Sequence, residues 1–240
     1  MTEQMITPKK KSKKKSKKTP TNTRIFFILD RSGSMAQIAD ETIGGFNAFI
    51  EAQKAVPGKA TLSLVQFDHE YLVVHNQVPL QDVPALDKTT FVPRGMTALY
   101  DAVGRTIAQF KDDNPKNMKT IVTILTDGAE NSSKEFNYSQ ISLMIKQVEA
   151  EHDWEVMFLG ANMNAQATAV AMGIKASSSV TFDYSKVGAV SAMASVSAAT
   201  SSMRGMSMNY ADGSSMTGNL NMSKLYADVG AGKVTVTPTV

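Results

Sequence analysis

The 240-residue chain contains no cysteine. Disulfides, zinc–thiolate sites, iron–sulfur clusters and thiol catalysis are therefore excluded. Histidine is scarce too: His69, His75 and His152 are the three present, and their spacing forms no metal-binding pattern. No apolar run exceeds the length of a strand, so no membrane-spanning helix is expected. Residues 1–8 lead into lysines rather than an apolar core, so no secretory signal is expected and the chain reads as cytoplasmic. Neither a G-x-x-x-x-G-K-[ST] phosphate loop nor a G-x-S-x-G nucleophile elbow occurs. Gly230-Ala231-Gly232-Lys233 lacks the upstream glycine and the hydroxyl residue of the former.

What is present divides into two parts. KKKSKKKSKK, from Lys9 to Lys18, holds eight lysines; they outweigh the formal net charge of +3 and leave −5 for everything else. The chain is an acidic body with a basic tether. Residues 1–23 combine like charge with Pro8 and Pro20 and have no apolar face, so they read as a disordered tail. Such a run suits non-specific contact with nucleic acid or another polyanion, driven by counterion release. No aromatic residue is interleaved with the lysines, so base stacking is not expected. An acidic membrane surface and plain solubility are the other uses of such a run.

From Arg24 onward, elements alternate. Ile25-Phe26-Phe27-Ile28-Leu29 is wholly apolar and ends in Asp30, the pattern of a strand buried on both faces. Residues 38–54 read as a helix with Ile43, Phe46 and Ile50 on one stripe; Gly44-Gly45 weakens it unless the backbone there packs closely on a neighbour. Residues 60–67 and 71–78 read as two strands joined by a tight turn, and residues 79–95, with three prolines, as a loop. Helices are expected at 98–110, 139–149 and 164–172, and strands at 119–126, 154–159 and, at an edge, 179–182. Residues 187–203 suit an Ala-rich helix. The alternation implies a doubly wound α/β fold, with a mostly parallel central sheet, one antiparallel edge strand and helices on both faces. The expected domain covers residues 24–204. Beyond Gly205 no periodicity is visible, and residues 205–240 read as a low-complexity, flexible C-terminal tail.

Three short segments carry the chemistry, each at the end of an expected strand or in a loop beside it: Asp30-Arg31-Ser32-Gly33-Ser34, Gly95-Met96-Thr97 and Thr126-Asp127-Gly128. In open parallel sheets the strand ends face the crevice where ligands bind. Asp30, Ser32, Ser34, Thr97 and Asp127 offer two carboxylates and three hydroxyls, with no nitrogen or sulfur. That set suits a hard cation, Mg²⁺ or Mn²⁺. Two carboxylates roughly neutralise a dication, and hydroxyls fill the shell without adding charge, so the metal stays open to one more anionic ligand. Taken singly, either aspartate also suits a helix or turn cap, and Ser32 and Ser34 suit turn and N-cap positions. Arg31, Arg94, Glu130 and Asn131 lie in the same loops, either as rim residues that tune partner choice or as ordinary solvated loop residues.

The order of these residues resembles the metal-ion-dependent adhesion site (MIDAS) of von Willebrand factor A (VWA) domains. That family pattern is D-x-S-x-S after the first strand, a Thr before a following helix and an Asp ending the fourth strand. Asp30, Ser32, Ser34, Thr97 and Asp127 occupy all five positions. The likeness covers roughly residues 24–182 and is closest to small stand-alone bacterial or phage-type members. It implies a bound Mg²⁺ or Mn²⁺ ligated directly by Ser32, Ser34 and Thr97, with Asp30 and Asp127 acting largely through waters. It further implies a protein partner whose Glu or Asp fills the open position, and no catalysis. Two competing readings are a Mg²⁺-dependent phosphohydrolase or nucleotide-binding α/β protein, and a nucleic-acid-associated architectural protein acting through the lysine tail. Against the first, a haloacid-dehalogenase-type phosphatase wants a second Asp where Ser32 stands, leaving a nucleophilic Asp30 without an acid–base partner.

Overall fold

Strand β1 (Asn22–Asp30) is buried at every position except Asn22, because its apolar residues serve two cores at once. Ile25, Phe27 and Leu29 point to one face of the sheet and pack with Phe46, Phe49 and Val196. Phe26 and Ile28 point to the other and pack with Val103, Ile107 and Ile145. The two-residue period of a strand makes this division. The computed structural model describes residues 22–113, 118–212, 214 and 220–237.

Around β1 lie β2 (Ala60–Phe67), β3 (Tyr71–Pro79), β4 (Met118–Thr126), β5 (Trp154–Ala161) and β6 (Ser179–Phe182), in the order β3-β2-β1-β4-β5-β6. All neighbours pair in parallel except β2 and β3. This is the α/β sheet expected from the sequence, with its single antiparallel strand at one edge. That edge is irregular. The β2–β3 register shifts twice around Leu64, and Gln77 sits at φ +51°. The other edge, β6, is four residues long.

Helices α1 (Ala39–Lys54) and α5 (Lys186–Met203) cover the face that holds Phe27, while α2 (Leu99–Phe110), α3 (Tyr138–Glu151) and α4 (Ala165–Ala171) cover the face that holds Phe26. A Cβ on Gly45 would lie 2.6 Å from Met193 Cγ, so glycine is what lets α1 approach α5. Gly44 has nothing within 4 Å. The buried Arg204 guanidinium donates to the Gln53 carbonyl (2.6 Å) and the Val56 carbonyl (3.3 Å), satisfying acceptors at the end of α1. Burial pulls its pKa down to about 10.

Two sequence boundaries are corrected. Asn22 and Thr23, read as part of a disordered tail, belong to β1 and pair with Met118 and Lys119 of β4. The rest of that segment, with the lysine run, lies outside the described residues. Residues 205–240, read as a flexible tail, contain helix α6 (Met222–Gly230) and strands β7 (Ser207–Tyr210) and β8 (Val234–Thr237), which form an antiparallel ribbon. Met208, Met222 and Leu225 are buried in the core of α1 and α5. The signal was present but sparse: Met222, Leu225, Tyr226 and Val229 recur at i, i+3, i+4 and i+7. The Asn221 side chain caps α6 by accepting from the Lys224 N–H. Among the described residues no helix is long and apolar enough to cross a membrane.

Candidate metal centre

The parallel register sets Leu29 of β1 opposite Leu125 of β4, so Asp30 and Thr126-Asp127 leave the sheet side by side. Asp30 is fully buried. Its Oδ1 accepts the Ser32 N–H at 2.6 Å, folding the chain back at the strand end. Its Oδ2 accepts the Thr126 hydroxyl at 2.5 Å. The turn brings Ser32 Oγ to 3.2 Å from Ser34 Oγ, and Ser34 in turn donates to Asp127 Oδ1 at 2.7 Å. The second oxygen of Asp127 accepts the Tyr184 hydroxyl at 3.1 Å.

Thr97 arrives on the loop before α2. Its N–H donates to Asn131 Oδ1 (2.9 Å), and its carbonyl accepts the Asn131 N–H (3.0 Å). A Cβ on Gly128 would lie 3.0 Å from Thr97 Oγ1 and 3.8 Å from Ser34 Oγ, so both hydroxyls crowd the turn after Asp127. The Gly33 N–H donates to the Gly95 carbonyl (3.2 Å), tying the two loops together. All five candidate residues therefore converge at one end of the sheet.

Beneath them, Asp68 is a buried staple. The Arg94 Nε donates to its Oδ2 (2.9 Å), and the Arg31 Nε forms an ion pair with the same oxygen at 3.1 Å without the alignment of a hydrogen bond. The Asp68 carbonyl also accepts the Ala98 N–H, and the Arg31 carbonyl accepts the Arg94 N–H. Arg31 and Arg94, read from sequence as rim or solvated residues, thus clamp both loops to the β2–β3 turn. Glu130 accepts from the N–H groups of Tyr100, Ser132 and Ser133, so it organises the start of α2. Thr126, Asn131, Tyr184 and Asp68 are positioning residues not singled out for that role by the sequence. Tyr184 in particular has no local signal, since it lies 57 residues from Asp127.

The electrostatics fit a cation. Among the described residues no ion pair joins a cationic side chain to Asp30 or Asp127. Burial pushes the Asp30 carboxyl up to about 6, with the neighbouring Asp127 charge adding to the effect and hydrogen bonds from Thr126 and Ser32 opposing it. Burial raises Asp127 as well. Two desolvated carboxylates without a counter-charge are what a dication relieves. Among the described residues no group of three or more His, Cys, Asp or Glu is placed to hold a metal, so the donors here are carboxylates and hydroxyls together, all oxygen.

The von Willebrand factor type A domain model matches residues 25–196. The chain belongs to the von Willebrand factor type A domain family. No curated protein matches it by sequence. Among solved structures, its VWA fold is similar to proximal thread matrix protein 1 of the mussel byssus, in a form described with a zinc-occupied MIDAS motif. The identity is 14% and the TM-score 0.57, over 76% of this chain and 46% of that one. The pilus adhesin SpaC of Lactobacillus rhamnosus GG is similar at 12% identity and a TM-score of 0.59, over 79% of this chain and 32% of that one. A von Willebrand factor type A protein of Catenulispora acidiphila is similar at 15% identity and a TM-score of 0.51, over 79% and 45%. The chain spans under half the length of these proteins, and at such identities the likeness is one of fold. The family match ends at residue 196, so α6 and the β7–β8 ribbon are additions to the matched VWA region.

Proposed function

We propose that Asp30, Ser32, Ser34, Thr97 and Asp127 form a complete MIDAS that holds Mg²⁺ or Mn²⁺ and uses it to capture a Glu or Asp side chain of a protein partner. Ser32, Ser34 and Thr97 bind the ion directly; Asp30 and Asp127 act largely through waters. The observation that carries this reading is the convergence of two carboxylates and three hydroxyls, with no cationic side chain among the described residues in an ion pair with either carboxylate. When bound, the ion supplies the Lewis acidity that holds an incoming carboxylate. Ser34 lies exposed at the mouth, which gives that carboxylate access.

Binding rather than catalysis is supported by the surroundings of Asp30. Its two oxygens accept the Ser32 N–H and the Thr126 hydroxyl, and the neighbouring Asp127 carboxylate is itself held by the Ser34 and Tyr184 hydroxyls. The eight lysines from Lys9 to Lys18 add, in this reading, a separate and sequence-blind polyanion contact. The lack of cysteine suits the cytoplasm.

The test is a pull-down from cell lysate with nuclease present, comparing the parent with Asp30→Ala in Mg²⁺ and in chelator. A protein retained by the parent only, and only with metal, is the expected result. Should Asp30→Ala bind Mg²⁺ as tightly as the parent, the site assignment is wrong.

A further inference from the structure

A groove of about 480 Å³ opens beside the metal site. One wall is formed by Ala36, two residues after Ser34, and by Ala39 and Ile43 of α1. The opposite wall is Val92 and Pro93, which lead directly into Arg94-Gly95-Met96-Thr97. Both walls are continuations of the loops that carry Ser34 and Thr97, and the Gly33–Gly95 hydrogen bond joins those loops near the groove. Phe91 is buried beneath, while Val92 is 50% exposed.

The rim differs from these walls. Asp40 and Glu41 occupy the first turn of α1. Asp40 is bridged to Lys88 at 2.8 Å, with both side chains well exposed. An exposed pair of this kind adds little and opens readily. Glu41 has no ion pair among the described residues. Two carboxylates facing one lysine leave the rim net negative above an apolar surface. That combination favours a side chain with an aliphatic stem and a cationic head.

We propose that this groove takes a lysine or arginine from the same partner segment whose Glu or Asp binds the metal. The proposal deepens the adhesion reading and rests on it. The stem lies along Ile43, Val92 and Pro93, and the head meets Asp40 and Glu41 in place of Lys88. Recognition then uses two charges of opposite sign: a carboxylate at the ion and a cation at the rim. The spacing between them discriminates among acidic segments, which a bare metal ion does not.

The experiment is a synthetic peptide array probed with the full chain in Mg²⁺ and in chelator. Every peptide carries one central Glu, and one Lys, Arg, Leu or Glu is walked through the flanking positions. Lys or Arg at one fixed offset is expected to raise Mg²⁺-dependent capture about threefold over Leu at the same position. Asp40→Asn combined with Glu41→Gln is expected to erase that preference while Mg²⁺-dependent capture of the central-Glu peptides continues. Equal capture of the Leu peptides, or an unchanged preference in the double variant, overturns the groove assignment alone. Capture that ignores both Mg²⁺ and the central Glu, or no capture at all, sinks the metal reading and the groove with it. A chain with the eight lysines replaced by Gln is probed in parallel. If that chain captures more of every basic peptide than the parent, its own lysine run fills the groove and the partner assignment is overturned.

Discussion

Tyr184 donates its hydroxyl to Asp127 Oδ2, joining the loop that enters α5 to the end of β4. Burial and the adjacent Asp127 charge push the phenol up to about 12, so it remains a neutral donor throughout the working range. The bond fixes which way the carboxylate faces. Tyr184→Phe keeps the ring and removes the bond. We expect Mg²⁺ affinity to fall about fivefold, the equivalent of ~1 kcal/mol for one lost hydrogen bond. Titration calorimetry reads this directly, and an unchanged affinity means that Asp127 is oriented by Ser34 alone.

In the proposed site, proton and metal compete at Asp30. Its folded-state pKa, raised to about 6, exceeds the ordinary value of 3.8. If Asp30 helps to hold the ion as proposed, protonation below pH 6 opposes it, and Mg²⁺ affinity is expected to be about tenfold weaker at pH 5 than at pH 7.5. A flat affinity over that interval would remove Asp30 from the site.

The same raised pKa bears on the stability of the metal-free protein, with the opposite sign from a salt-bridged aspartate. The folded chain binds the Asp30 proton more tightly than the unfolded chain does. Its contribution is therefore greatest below pH 3.8 and is lost as pH rises to 6. Asp30→Asn mimics the protonated group. In chelator it should exceed the parent by roughly 2–3 kcal/mol at pH 7 and match it near pH 4. Thermal melts at the two pH values decide the matter.

Adjacent glycines in α1 should respond in opposite directions. Gly45→Ala drives a methyl into Met193 and is expected to cost about 1–3 kcal/mol. Gly44→Ala meets nothing and should stabilise by about 0.5–1 kcal/mol, through helix propensity. Urea midpoints of the two variants make the comparison, and equal effects would contradict the α1–α5 contact.

Truncation after Gly205 removes Met208, Met222 and Leu225 from the core beside α5. Burying three such side chains is worth roughly 5 kcal/mol, so the shortened chain should unfold at markedly lower urea. A midpoint equal to that of the parent would return residues 206–240 to the status of a tail.

That segment also marks where the sequence is hard to read. The central strands were legible because β1 and β4 are apolar runs cut off by aspartates, and the five site residues stand at their ends or in a neighbouring loop. Helix α6 was not, since four apolar residues interspersed with Ser, Lys, Ala and Asp give a weak stripe that gains meaning only from the α5 surface it covers. Positioning residues escape for a related reason. Asp68 looks like a turn residue and Asn131 like a loop residue until the pairing of β1 with β2 and β4 brings Arg31, Arg94 and Thr97 against them. Gly45 lies between the two cases: its oddity in a helix was visible, and its explanation, Met193, lies 148 residues away.

The margins of the sheet have a consequence for how copies of this chain meet. A flat outer strand is a template on which a second sheet can extend. Here β3 is broken in register on one side, and on the other β6 is four residues long with α6 packed beside it. Neither border offers a straight ladder for another molecule to continue. The central sheet is thereby poorly suited to edge-to-edge extension, and contacts at its borders are left to surfaces governed by side chains.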